Sequence, residues 1–206
     1  IPLGVNSYEY EKGLPIFSES NVKEKILVTI CHLNKEIKRV QNIIKALASL
    51  KEWGEIFNLE IIGCGPYEAD LRKLASDLNV VDQVVFMGAV PQEQLDNYLC
   101  PNKIFVLPSI LEAFGIVFVE AMLRGLPVIG TIDCGAVRDL QGMGYPVSVA
   151  EVDNIEDLCH CIIRTRKEYS EIYNQLRGSH TALSDYYSWK NHAILYEELL
   201  SKVIQG

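Results

Sequence analysis

The sequence predicts an α/β fold: a parallel β-sheet with helices on both faces. Short apolar runs of strand length recur from residue 25 to residue 149. Segments with the apolar spacing of a helix lie between most of them. Gly or Pro stops several of the runs. Strands covered on both faces read as continuous apolar runs, and strand–helix alternation gives βαβ units and a parallel sheet.

The elements follow in order. Lys25 to Ile30 is a strand. Lys38 to Lys51 repeats Val40, Ile43, Ile44, Leu47 and Leu50 at helical spacing. Leu59 to Ile62 is a strand ended by Gly63. Pro66 suits a first helical position, and Leu71, Leu74, Ala75 and Leu78 continue an apolar face. Val84 to Met87 is a strand stopped by Gly88, and Pro91 to Leu99 a short helix. Ile104 to Leu107 is a strand stopped by Pro108, and Gly115 to Arg124 a helix ended by Gly125. Pro127 to Gly130 is a fifth strand, and Pro146 to Val149 a weaker sixth. Beyond it the alternation stops. Asn154 to Leu176 and Ser188 to Val203 are expected as two extra C-terminal helices, with a turn over Gly178 to Ser184.

Composition narrows the function. The chain has 206 residues, of which 49% are apolar and 22% charged, enough for a packed core. A net charge of −8 disfavours nucleic acid, which needs a basic face. A small anion held by a local group of donors stays open. No apolar run reaches the roughly 18 residues of a membrane span, and the start has no signal-peptide pattern. The six cysteines form no CxxC pair and no zinc spacing. They are expected mostly as small core residues of a chain in a reducing cytoplasm.

Ligands of such folds sit at the carboxyl ends of the strands. The most informative loop there runs from Leu107 to Met122. Glu112 lies in the loop and Glu120 in the helix that opens near Gly115. The amides of Gly115, Ile116 and Val117 point out of that helix start, which suits a phosphate. Helical side chains lean toward the N-terminus, so Glu120 reaches back along the same face. A carboxylate repels phosphate but accepts from a sugar diol. Two readings stay open on the residues alone: a nucleotide ligand, or an ordinary polar residue on a partly exposed helix. Gly63-Cys64-Gly65-Pro66 begins like a GxGxxG turn but lacks its third glycine and follows the second strand, which disfavours a dinucleotide dehydrogenase. Cys31 to Arg39 places His32 and three basic residues after the first strand. It is either an anion clamp or a solvated loop. Cys159-His160-Cys161 on a helix does not share one face, so a metal is not expected there.

These segments together resemble the nucleotide-binding half of retaining GT-B glycosyltransferases, the glycosyl transferases group 1 or family 4 group. Its E-x7-E segment is similar to Glu112-Ala113-Phe114-Gly115 through Glu120-Ala121-Met122, followed by Gly125-Leu126-Pro127-Val128-Ile129-Gly130-Thr131. Ile61-Ile62-Gly63-Cys64-Gly65-Pro66, Val84-Val85-Phe86-Met87-Gly88 and Leu107-Pro108-Ser109 resemble further family segments. Ile1-Pro2-Leu3-Gly4-Val5-Asn6 resembles the segment that opens this half.

The resemblance implies a Rossmann-like C-terminal half of a GT-B fold. Residues 1–206 would form one donor-binding domain, with a hinge segment at 1–20 and a C-terminal helix region at 178–206. An N-terminal acceptor domain would lie outside the chain. The implied donor is a nucleotide-diphosphate sugar, with no further cofactor and no metal. Glu120 would hold the ribose and Glu112 would act at the donor sugar as the catalytic carboxylate. Amides from Phe114, Gly115, Ile116 and Val117 would meet the diphosphate and sugar. Backbone from Met87 to Val90 would hold the base. Gly65, His32 and Lys38 complete the implied donor site. His32 stands where the family has an Arg on the diphosphate, and Lys38 matches the family's phosphate-binding Lys across a small loop insertion. Asp133-Cys134-Gly135 replaces a glycine pair. The implied acceptor is a glycan, lipid or protein, reached through the other half. A cytoplasmic enzyme with peripheral membrane association fits such acceptors. A non-catalytic nucleotide- or sugar-binding module of the same fold is the competing expectation.

Overall fold

A computed structural model of the chain describes Val5, Gly13, Leu14 and residues 25–205 other than Lys35 and Ala113. The rest of the expected hinge segment at 1–20 lies outside the described residues, as does Lys35 of the loop after the first strand.

The described residues form a six-stranded parallel sheet of order β3-β2-β1-β4-β5-β6. The strands are β1 (Ile26–Ile30), β2 (Asn58–Ile62), β3 (Val84–Gly88), β4 (Lys103–Val106), β5 (Val128–Thr131) and β6 (Val147–Ala150). This is the Rossmann-type order, and it fulfils the expected fold class. Side chains alternate across the sheet. Leu27, Ile104 and Val106 join one core with α1 (Val40–Glu52), α2 (Glu68–Asp77) and α5 (Ile155–Lys167). Val28, Phe105 and Leu107 join the other with α3 (Ile116–Leu123), α4 (Gly135–Gly142) and α6 (Tyr169–Tyr186). The last helix is α7 (Trp189–Gln205).

The short helix expected within Pro91 to Leu99 is present and is of the 3-10 type, Gln92–Asn97. Four expectations change. Pro66 stands before the helix instead of at its first position, because Tyr67 is the N-cap and donates its amide to the Leu33 carbonyl at 2.8 Å. Helix α4 was not expected, although Ala136, Val137 and Leu140 bury one face of it.

The largest change is at the C-terminus. The helix expected over Asn154 to Leu176 breaks at Glu168, and the turn expected over Gly178 to Ser184 lies inside α6. Both follow from tertiary packing. Tyr169 is buried and its hydroxyl accepts from the Asn102 amide at 2.7 Å, which fixes the break. His180 is buried with Nε2 3.0 Å from the Leu123 carbonyl, and Leu183 is also buried. Ser179 returns its hydroxyl to the Gln175 carbonyl at 2.9 Å. A helix face buried this way outweighs the modest cost of one glycine within it.

Candidate functional site

The chain leaves β1 through α1 on one face and β4 through α3 on the other. The sheet therefore has its switch point between β1 and β4, where open α/β sheets hold ligands. A cleft of about 570 Å³ opens there, beyond the carboxyl ends of the strands.

The loop after β1 supplies Lys38. The 3-10 helix Glu36–Lys38 precedes Arg39, whose left-handed φ of 54° starts α1. Arg39 turns to Asp153, pairing at 2.9 Å, while Lys38 faces the cleft. The loop after β4 supplies Glu112. Ile110 donates its amide to the Ile37 carbonyl at 3.1 Å, which joins this loop to the one after β1. Thr131 on β5 donates its hydroxyl to the Ser109 carbonyl at 2.5 Å. The two joined loops bring the Lys38 ammonium onto the Glu112 carboxylate, and both side chains are mostly buried.

Helix α3 supplies Glu120 and the helix start. Phe118 anchors it on the sheet, edge-to-face with Phe105 at 5.5 Å between centroids. Gly115 is the N-cap, at φ 52°. A Cβ there would stand 2.2 Å from the Ala136 Cβ, so only glycine lets α3 and α4 begin side by side. Ile116 and Val117, whose amides belong to the unpaired first turn of a helix, line the cleft with Glu120. The Gln92 amide donates to Glu120 Oε1 at 2.9 Å.

His32, Lys38, Val90, Glu112, Ile116, Val117 and Glu120 of the expected residues thus meet in one cleft. Gly65, Met87, Phe114 and Gly115 do not line it. A Cβ on Gly65 would fall 2.2 Å from the Leu33 carbonyl oxygen, so its place is a close approach between the first two βα loops. Met87 packs against the core on the α3 side, and the Phe114 side chain is exposed. Sequence reasoning missed Gln92, a polar residue on a 3-10 helix without periodic signal. It also missed Cys31 and Cys64 on the cleft wall. Burial is the first cause that pushes the Cys31 thiol up to about 12, with Glu112 adding and Lys38 opposing. Cys31 therefore stays a neutral thiol. Burial likewise raises Cys159 and Cys161 to about 11. These two and Cys134 are buried core thiols, whereas Cys31 and Cys100 are half-buried and Cys64 is exposed, against the expectation. Among the described residues no group of three His, Cys, Asp or Glu side chains is placed to hold a metal, and no helix is long and apolar enough to cross a membrane.

Residues 14–177 match the family model described as "Glycosyl transferases group 1". The chain belongs to that family. It is 26% identical over 166 residues to 2-deoxystreptamine glucosyltransferase of Streptomyces kanamyceticus, covering 79% of this chain and 43% of that protein. It is 29% identical over 158 residues to N-acetyl-alpha-D-glucosaminyl L-malate synthase of Bacillus anthracis, covering 76% of this chain and 40% of that protein. The chain therefore spans less than half the length of these curated relatives. Among solved structures, Anabaena HepE in complex with UDP and glucose superposes with a TM-score of 0.78 at 18% identity, covering 97% of this chain and 55% of HepE. That likeness shows the fold. In this glycosyl transferases group 1 chain, the two glutamates of the E-x7-E segment open onto the same cleft at the switch point.

Proposed function

We propose that the cleft is the donor site for a nucleotide-diphosphate sugar, and that the chain is the donor-binding half of a retaining glycosyltransferase. The observation that carries this reading is the convergence of Lys38, Glu112, Glu120 and the start of α3 at the switch point. Each group suits one part of the donor. The Glu120 carboxylate takes the ribose diol. Lys38 and the first-turn amides of α3 face the diphosphate, where charge grows as the glycosidic bond breaks. Glu112 is left for the donor sugar. The anomeric carbon exchanges its phosphate oxygen for an acceptor hydroxyl oxygen on the same face, and the acceptor proton passes to the departing diphosphate. Helix amides and Lys38 neutralise the diphosphate, so no divalent metal is assigned. The acceptor, a glycan, lipid or protein, would be held by another half of the enzyme. We place the whole enzyme in the cytoplasm, at the membrane surface where the acceptor is a lipid.

A thermal-shift panel of UDP, GDP, ADP and CMP with their sugars tests the reading. A ligand that binds only the folded state raises its melting temperature. One nucleoside diphosphate and its sugar should do so, with EDTA making no difference. A panel without any shift contradicts the reading, and a shift that EDTA removes contradicts the metal-free site. His32, exposed at the cleft where an Arg stands in the family pattern, favours a second reading, a non-catalytic nucleotide-binding module. Binding without transfer in the longer protein would select it.

A further inference from the structure

We propose that Gln92 is a positioning residue that sets the Glu120 carboxylate and ties it to the loop after β3. The inference rests on the donor-site reading above. Two rungs join the 3-10 helix Gln92–Asn97 to α3. Gln92 Nε2 donates to Glu120 Oε1 at 2.9 Å, and Arg124 Nε donates to Asp96 Oδ1 at 2.7 Å. Gln92 precedes Asp96 on the 3-10 helix as Glu120 precedes Arg124 on the α3 side, so the two contacts follow one another in the same direction along the pair. Arg124 also donates from Nη1 to the Glu120 carbonyl at 3.1 Å.

The rungs differ in what they do. The Arg124 side chain is 6% exposed, and Leu95 beside that rung is buried. Leu95 and the Asp96–Arg124 pair therefore dock the 3-10 helix. Gln92 is exposed and adds little to that docking. Its amide instead restrains the carboxylate through the bond to Oε1. A neutral donor contributes orientation to that carboxylate without adding a charge of its own. Gln92 also follows directly on the loop whose Ala89 and Val90 line the cleft. The hydrogen bond thus holds the ribose-binding carboxylate in register with that loop.

Calorimetry with the best-binding of UDP, GDP and ADP, and with its 2′,3′-dideoxy analogue, tests this. Gln92→Ala should weaken the ribonucleotide roughly three- to tenfold, the size of one net hydrogen bond. It should leave the dideoxy analogue unchanged and add nothing in a Glu120→Ala background. Asp96→Asn, on the other rung, should leave the ribose preference intact. Three results would overturn the role of Gln92 while leaving the donor site standing: equal losses for both nucleotides, a loss that persists in the Glu120→Ala background, or a full ribose preference in Gln92→Ala. A wild-type chain that binds none of the three nucleotides, or shows no ribose preference, would overturn the donor-site reading itself.

Discussion

Lys38 and Glu112 lie 74 positions apart, and the two joined loops bring them together as an ion pair. Each partner therefore has two claimants, the other side chain or the donor. A diphosphate entering the cleft must draw Lys38 off Glu112. Glu112→Gln removes that competition, and UDP or its equivalent should bind about two- to fivefold tighter, the worth of an ion pair near a surface. The same change should abolish transfer in the longer protein. Glu120→Ala should weaken the nucleotide by about 1–3 kcal/mol, the cost of a lost bond to a charged acceptor. Calorimetry on the two variants checks both, and equal weakening would contradict the division of roles. Glu120 and the start of α3 were legible because a carboxylate on an apolar helix beside free amides suits a ribose and a phosphate, whereas the roles of Glu112 and Lys38 came only from the resemblance of their segments to the family. The pairing of Lys38 with Glu112, and the bond from Gln92 to Glu120, were not legible. Both join segments distant in sequence, and neither has a periodic trace.

Elements hold the site by their starts. Helix α3 begins beside α4 because Gly115 has no side chain, and its φ of 52° is strained for any other residue. Gly115→Ala should cost about 2–4 kcal/mol, from overpacking together with the left-handed backbone. Urea unfolding measures this, and a change below 1 kcal/mol, roughly the range of a neutral surface substitution, would contradict it. Helix α1 begins at Arg39, held by Asp153. The Asn42 amide, at 2.8 Å, is the first cause that keeps the Asp153 carboxyl below its ordinary value, with Arg39 adding to it. A depressed carboxylate stabilises the fold above its unfolded value, about 3.9, and loses that contribution as pH falls through the folded value. Asp153→Asn should therefore destabilise the chain by about 0.2–1 kcal/mol at neutral pH, the range for exposed pairs, and by less near pH 3. A pH-independent difference in urea midpoints would contradict it. The six strands were legible because each is a short apolar run. The turn at Gly178 to Ser184 was misread because local turn chemistry gave way to burial of His180 and Leu183.

At the scale of the molecule, the sheet order turns a set of separate loops into one cleft. Loops after β1, β2, β3 and β4 meet only because β1 and β4 are neighbours. On the proposed donor-half reading, the 206-residue chain by itself should bind the nucleoside diphosphate yet transfer no sugar, since transfer needs both substrates held in geometry. Sustained transfer by the purified chain would contradict that. The central claim is that this switch-point cleft is where the donor sits. The most direct measurement is a crystal structure of the chain with the nucleoside diphosphate that stabilises it best. The diphosphate should lie against Lys38 and the amides of Ile116 and Val117, with both ribose hydroxyls on Glu120. A nucleotide seated elsewhere, such as in the cavity beside Arg164 and Glu168, would contradict the account.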